Sequence, residues 1–369
     1  MLKRVLAFTL FPLLCTAQTH IFYGYGDYHA FAGVKDSLQL LGEYRKINDR
    51  LDLFNIKDQE FGKGTANLGA VGDLDGGRLE MRWQIQKNRF LLFRASYDKI
   101  EYRLGNLKNL QLEGYIRQNF TADPYSNNAL SCDLGMRYDS AGDIKADNSR
   151  SLIGVIESHP NVEKAWLEKY DGPQNYNWTL NVNLKDGTYE GIDLHERPTL
   201  AVKDMGDMSG YIRILIEHRF SNRFFLTGYT EGGYTRITST AGVNDELAEA
   251  AQAQGIETTE NLDRHERYVE VGSNIAIQIG RVVGELRYAY RHFYRGDDLG
   301  YIKYNHIIDA VLQMPLGSKR LVGYIGGHFL YRQLNGEIPF LYNKYTQTSF
   351  DHRYGYAKFG LIYTFKGVE

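Results

Sequence analysis

A two-residue alternation of apolar and polar side chains, sustained over nine or more positions at a time, constrains this chain more than any other feature. In 78–86, Leu79, Met81, Trp83 and Ile85 alternate with Arg78, Glu80, Arg82, Gln84 and Gln86. In 267–280, Val269, Val271, Ile275, Ile277 and Ile279 share one parity, and Glu270, Asn274 and Gln278 take the other. The following runs repeat the split. Leu286, Tyr288, Tyr290, His292 and Tyr294 oppose Glu285, Arg287, Arg291 and Arg295; then Tyr304, Ile308, Ala310, Leu312 and Met314 oppose Lys303, Asn305, Asp309 and Gln313. A helix would scatter each set around its axis, whereas a strand sorts them onto two faces.

Strand length separates the β architectures. Sandwich strands average about 5–6 residues, while a tilted transmembrane strand needs about 9–11. Tight junctions at Lys87-Asn88, Ser221-Asn222, Gly280-Arg281 and Pro315 to Lys319 alternate with long links at 120–175, 240–264 and 334–351. The expectation is an all-β chain: an antiparallel transmembrane β-barrel of 12–14 strands with short periplasmic turns and long extracellular loops. A soluble sandwich or jelly roll is the competing fold. The strands are placed at 353–365, 319–333, 301–314, 282–295, 266–280, 223–238, 210–220, 107–118, 89–103 and 78–86. Weaker ones fall at 175–185, at 64–73 and within 36–57. Composition agrees, with 28 Tyr and 38 Gly but only 7 Pro in 369 residues. A mean hydropathy of −0.43 excludes a bundle of spanning helices. The balance of 43 basic and 45 acidic residues leaves no footprint for nucleic acid.

Lys3 and Arg4 precede an apolar run, Val5 to Leu14, and then Cys15-Thr16-Ala17. This is the layout of a secretory signal peptide, 1–17, cleaved before Gln18. The remainder, 18–369, reads as a single barrel domain with 120–175 and 240–264 as its long loops. Within those loops Asn244 is placed to cap a helix over Asp245 to Gln254, and Asn161 one over Val162 to Lys169. Cys132 is then left alone, and no Cys/His cluster has metal spacing, so no metal or cofactor is expected.

The chain closes on Ala357-Lys-Phe359-Gly-Leu361-Ile-Tyr363-Thr-Phe365, alternating and ending on aromatics. This resembles the C-terminal strand of Gram-negative outer-membrane β-barrel proteins, although four residues, Lys366 to Glu369, follow where the family pattern places the aromatic last. The resemblance implies an outer-membrane location. It also implies a surround of outer-membrane lipid and lipopolysaccharide, and dependence on the barrel-assembly machinery.

With the apolar face on lipid, the charged parity lines the lumen. It carries Arg78, Glu80, Arg82, Arg94, Asp98, Glu113, Arg117, Arg213, Glu217, Arg219, Glu270, Glu285, Arg287, Arg291, Lys303, Asp309 and Lys358. One reading is a porin-like, water-filled pore for passive diffusion of small polar solutes. Another is a non-conducting barrel, crossed by salt bridges or plugged by 120–175, that serves surface interaction or an envelope or secretion complex. Tyr288, Tyr290, Tyr294, Tyr304, Tyr354 and Tyr363 are expected to form interfacial girdles. Tyr115 and Tyr211 fall on the lumen parity, where a carbohydrate-stacking platform would need them. A lipid-hydrolase site would need a nucleophile beside a base on the outer face. His292 and His306 qualify as bases, but Ser273 lies about four residues too deep. Tyr342 to Ser349 resembles a fragment of the outer-membrane phospholipase pattern, out of place in the chain and without a His-x-Ser context. A metal site on His292, His306 and His328 is the weaker alternative to girdle histidines. The chain is therefore read as a non-enzyme.

Overall fold

The computed structural model describes residues 27–30, 37–48, 50–52, 71–102, 105–121, 126–146, 149–170, 177–296, 299, 303–318, 320–331, 338–345 and 353–365. The expected signal segment 1–17, the 64–70 part of one expected strand, 346–349 and the tail 366–369 lie outside the described residues.

The chain opens with β1 (Leu38–Ile47), β2 (Val71–Gln86), β3 (Arg89–Tyr102), β4 (Gly105–Asn119) and β5 (Asn128–Ala141). Next come β6 (Ile144–Ala146), helix α1 (Ser149–Glu157), β7 (Val162–Lys169), β8 (Trp178–Leu184) and β9 (Tyr189–Leu194). Then follow β10 (Leu200–Ser221), β11 (Phe224–Val243), helix α2 (Asp245–Ala253) and β12 (Glu260–Asn261). Last are β13 (Arg264–Ile279), β14 (Val282–Tyr294), β15 (Tyr304–Pro315), β16 (Leu321–Leu330) and β17 (Tyr354–Thr364). Twelve of these form one antiparallel ring in the order β1-β2-β3-β4-β5-β10-β11-β13-β14-β15-β16-β17. The ring closes where β17 pairs with β1, from Gln39↔Thr364 to Lys46↔Ala357. Closure satisfies every strand edge, which an apolar surround requires because it offers no hydrogen-bond partners.

The count falls at the low end of the expected 12–14. The stretch 120–175 is not one loop, because β5 lies inside it as a wall strand paired to β4 and β10. Its alternation of Leu130, Leu134, Met136 and Tyr138 with Ser131, Asp133, Arg137 and Asp139 is as regular as that of any neighbour. The expected strand at 175–185 exists as β8 but stands outside the ring.

β10 and β11 run for 22 and 20 residues, about twice what a bilayer crossing requires. Their projecting ends carry a second hydrophobic core. Leu152, Val155 and Ile156 of α1, Leu180 and Val182 of β8, and Ile192 and Leu194 of β9 pack with Leu200, Ala241, Val243, Leu247 and Ala251. The β7-β8-β9 sheet and the two helices thus form a cap at the loop end. Val162–Lys169 is a strand and not a helix. Val162 and Ala165 are buried in the cap core, and the backbone pairs with β8 from Lys164↔Asn183 to Lys169↔Trp178. The helix expected after Asn244 is present as α2. The Asn244 side chain accepts from Thr199 N (3.3 Å) rather than capping, and its carbonyl accepts from Ala248 N.

The barrel is built inside out. Leu79 (71% exposed), Leu134, Ile216, Ile279 (70%), Leu286, Leu312, Ile325 and Leu361 face outward in a continuous apolar band. Trp83, Phe220, Tyr363 and Phe365 rim it at the turn end, and Tyr44, Tyr97, Tyr138, Tyr288, Tyr290 and Tyr294 toward the loop end. Tyr354 does not belong to that girdle. It shares the inward parity of Lys358 and is 1% exposed.

Candidate functional site

Inward-facing positions carry charges that find partners across neighbouring strands. On β2, Glu80 lies 2.5 Å from Arg82 and 2.7 Å from Arg94 of β3, while Arg78 reaches Glu43 of β1 at 3.2 Å. Arg94 also meets Glu113 of β4 at 2.7 Å, and Asp98 meets Arg45 at 2.9 Å. Across β4, β5 and β10, Asp133 joins Arg117 (2.5 Å) to Arg213 (3.2 Å), and Arg213 continues to Glu231 of β11 at 2.7 Å. Arg137 bridges Glu113 and Glu231 at 3.0 and 2.9 Å. Glu270 of β13 takes both Arg287 (2.6 Å) and Arg291 (2.7 Å) of β14. Asp309 of β15 takes Lys358 (2.6 Å) and His328 (2.9 Å). Burying an unpaired charge costs several kcal/mol, so carboxylates shared between guanidiniums are what lets a wall this charged fold inward.

Four tyrosines brace the belt through the same local device. Tyr211, Tyr229, Tyr268 and Tyr324 stand opposite Gly135, Gly272, Gly233 and Gly360 on the adjacent strands. Each ring lies across its glycine so closely that a Cβ there would fall within 2.3–2.5 Å of ring atoms. Lying flat, the hydroxyls donate to Glu113, Glu270 and Glu231 at 2.7 Å and to Glu43 at 2.9 Å. Tyr115 and Tyr211, the residues available for a lumen stacking platform, are buried against Arg213 and offer no open face.

Residues Asp27–Ala30 occupy the middle of this lumen. Asp27 sits between Arg82 (2.9 Å) and Arg94. The Tyr28 ring lies under Arg287 (4.0 Å) and Arg213 (4.9 Å), 4.5 Å from the ring of Tyr229. His29 stands between Glu217 (3.3 Å) and Glu285 (3.4 Å). Ala30 N donates to Glu217 at 2.7 Å, and its carbonyl accepts from Ser131 (2.6 Å) and Asn119. Arg117 donates to the carbonyls of Asp27 and His29. The 3-10 turn Pro339–Leu341, in the β16–β17 link, closes over the loop end. Ile338, Phe340 and Leu341 are buried with Ile47, Leu74, Ile100, Leu107, Met205 and Ile237, and Arg264 donates to Pro339 O at 2.7 Å. Asp27, Tyr28, Arg94, Arg137 and Arg287 help line a cavity of about 150 Å³, room for about five waters at the liquid's roughly 30 Å³ each. The lumen is filled here by the segment ahead of β1, and not by 120–175.

Of the residues expected to line the lumen, Arg78, Glu80, Arg82, Arg94, Asp98, Arg213, Glu217, Glu270, Glu285, Arg287, Arg291 and Asp309 all face inward and are paired. Lys303 does not join them. It is exposed, one residue before β15 begins, where the parity of the strand no longer governs its side chain. Sequence reasoning missed Asp133 and Arg137 because β5 was read as loop. It missed Glu231 because the outer parity of β11 carries Gly228, Thr230 and Gly232 and shows little apolar contrast.

On the outer face Ser273 and His292 do not come together. Ser273 pairs with Tyr288, whereas His292 pairs with Val269, about 13 Å farther along the strand. His306 is opposite Tyr290 and shares its Nδ1 with the Tyr288 hydroxyl at 2.8 Å. His328 points into the lumen toward Asp309, on the other side of the wall from His292 and His306, so the three cannot share a metal.

No protein-family model matches the sequence, and no curated protein matches it. Several solved structures resemble its fold. The translocator domain of autotransporter NalP from Neisseria meningitidis aligns over 90% of this chain and 88% of that one, at 8% identity and a TM-score of 0.45. The NanC porin aligns over 88% and 98%, at 9% identity and 0.39. The outer membrane phospholipase A from Escherichia coli aligns over 90% and 98%, at 11% identity and 0.31. With all three scores below 0.5, the twelve-strand closure rests on this chain's own hydrogen-bonded ladder.

Proposed function

We propose that this chain is an outer-membrane β-barrel closed to solute flow in its resting conformation, and that its cap is the surface through which it acts. The membrane reading is supported by an apolar band between aromatic rims, since a water-soluble barrel does not expose so large a continuous apolar surface. The observation that carries closure is Asp27–Ala30, held in the lumen by side chains from β2, β3, β4, β5, β10, β11 and β14. A porin for passive diffusion would need a continuous aqueous path, and this segment together with Ile338–Leu341 lies across it.

Planar-bilayer recording of the refolded protein tests the reading. Wild type should be silent. In an Asp27→Ala/Tyr28→Ala variant, one shared carboxylate and two cation–π contacts are lost. Together these are worth about 4 kcal/mol, enough to shift a closed-to-open ratio by roughly a thousandfold. That variant should conduct. Steady conductance by wild type would overturn the proposal.

A further inference from the structure

We propose that the outward face of the β7-β8-β9 sheet is a binding platform for the pyranose rings of a neutral glycan. The cap core takes Leu180, Val182, Ile192 and Leu194 from one side of this sheet. The other side is solvent-facing, and register places nine residues on it as a grid. Lys164, Asn183 and Tyr189 form one row, Trp166, Asn181 and Gly191 the next, and Glu168, Thr179 and Asp193 the third. The core needs nothing from this face, yet it carries an aromatic pair. Trp166 and Tyr189 have ring centroids 6.1 Å apart and tilted by 38°. Gly191 puts no side chain beside them, and the Tyr189 hydroxyl, Thr179 Cγ2 and the Asn181 amide oxygen lie 3.8, 3.9 and 4.0 Å from where its Cβ would stand.

At the centre of the grid lies Asn181, 2% exposed. The Tyr189 hydroxyl donates to its Oδ1, which fixes the amide with Nδ2 as the free end. Nδ2 is buried and has no hydrogen-bond partner among the described residues. A buried donor without an acceptor costs about 1–3 kcal/mol, so a ligand oxygen that reached it would recover that amount.

The neighbouring charges are already engaged. Lys164 sits over the Trp166 ring at 5.5 Å, Glu168 accepts from the indole Nε1 at 3.0 Å, and Asp193 accepts from Thr179 at 3.0 Å. The vacant requirement is therefore an uncharged acceptor beside an apolar face that can lie on aromatic rings. A pyranose supplies both, through its axial C–H face and its rim of hydroxyls. A peptide added to a sheet would be read along a strand edge, whereas this donor stands in the middle strand. The platform stands whether or not the lumen conducts.

The test uses the full-length refolded protein in a detergent without a sugar headgroup, so that the detergent cannot compete. Soluble hexasaccharides of β-1,4-glucose, α-1,4-glucose, β-1,4-mannose and β-1,4-N-acetylglucosamine are titrated, with calorimetry and intrinsic tryptophan fluorescence as readouts. Saturable binding of at least one is expected. Trp166→Ala and Asn181→Ala should each raise its Kd by about tenfold or more, the scale of one aromatic contact or one recovered buried donor. Trp166→Phe should keep most of the affinity. Asn181→Ala removes the unpartnered Nδ2 together with the Oδ1 that accepts from the Tyr189 hydroxyl, on the face of the sheet away from the cap core; an unchanged thermal melt separates loss of binding from loss of fold. Absence of a saturable response from all four glycans, or binding that survives both alanine variants unchanged, overturns the proposal.

Discussion

Leu79 and Glu80 are adjacent on β2 and face opposite surrounds, so exchanging each in turn measures what lies on either side of the wall. Leu79 is 71% exposed on the outer face, between the level of Trp83 and that of Tyr97, whose partner is Gly77. In water, replacing so exposed a leucine with arginine changes stability by about 0.5 kcal/mol or less. At the middle of a bilayer the same change costs about 2–4 kcal/mol, falling to about 0–1 near the interface. Leu79→Arg should therefore destabilise the barrel in lipid vesicles by about 3 kcal/mol, while Trp83→Arg at the rim should lose markedly less. Glu80 is 3% exposed and shared by Arg82 and Arg94. Glu80→Gln keeps the shape and removes the charge. Its cost should sit near the lower end of the 3–5 kcal/mol typical of a broken buried pair, because Arg82 keeps Asp27 and Arg94 keeps Asp27 and Glu113. Urea titration in vesicles, followed by gel mobility and tryptophan fluorescence, reads both. A Leu79→Arg barrel as stable as wild type would mean that this face meets water, and the bilayer reading would fall with it.

Gly272→Ala should cost about 1–3 kcal/mol by pushing the Tyr229 ring off its seat, and Tyr229→Ala in the same chain should recover part of the loss; chemical denaturation of the single and double variants checks this. Cysteine in place of Gln254 on the cap should react with an impermeant maleimide on intact cells, and cysteine in place of Ser318 in the β15–β16 turn should not; the reverse labelling would place the cap on the inner side. The mass of the mature protein should correspond to a chain beginning at Gln18. Glu246 clamps the approach to β10, accepting from the amides of His195 (2.7 Å) and Glu196 (3.1 Å) and meeting His195 Nδ1, and the His195 amide chiefly holds its carboxyl below the ordinary 4.5. A lowered folded-state value stabilises above the ordinary value and is lost as pH falls through the lowered one. Amide exchange at 195 and 196, normalised for intrinsic rate, should therefore accelerate as pH falls below the ordinary glutamate range, and Glu246→Gln should remove that dependence.

Period-two alternation is a local property, set by the geometry of each residue and its immediate neighbours, and it was readable wherever the two faces differ in chemistry. The strands at 78–86, 266–280, 282–295 and 301–314, their length, and the inward direction of Glu80, Glu270, Arg287 and Asp309 all follow from it. Where contrast is weak, as on β11 with Gly228 and Gly232 outside, the strand at 223–238 can be read but the inward role of Glu231 cannot, and β5 lies inside a stretch whose length suggests a loop. Side-chain partners are a different matter. That Asp133 joins Arg117 to Arg213 depends on the register of three strands, with Asp133 and Arg213 80 positions apart in the chain. That Tyr211 lies flat depends on a glycine 76 positions away. No alternation in 162–169 distinguishes a helix from a strand until β8 lies beside it to pair. Nor does anything in Asp27-Tyr-His-Ala30 mark it as lumen filling, since the four residues acquire that role only from guanidiniums and carboxylates delivered by β2, β3, β4, β10 and β14, with a hydroxyl from β5 and a ring from β11. Strand periodicity and strand length alone determined the barrel; only closure of the ring decided what lies inside it, because pairing of charges is set by distances that the chain order does not contain.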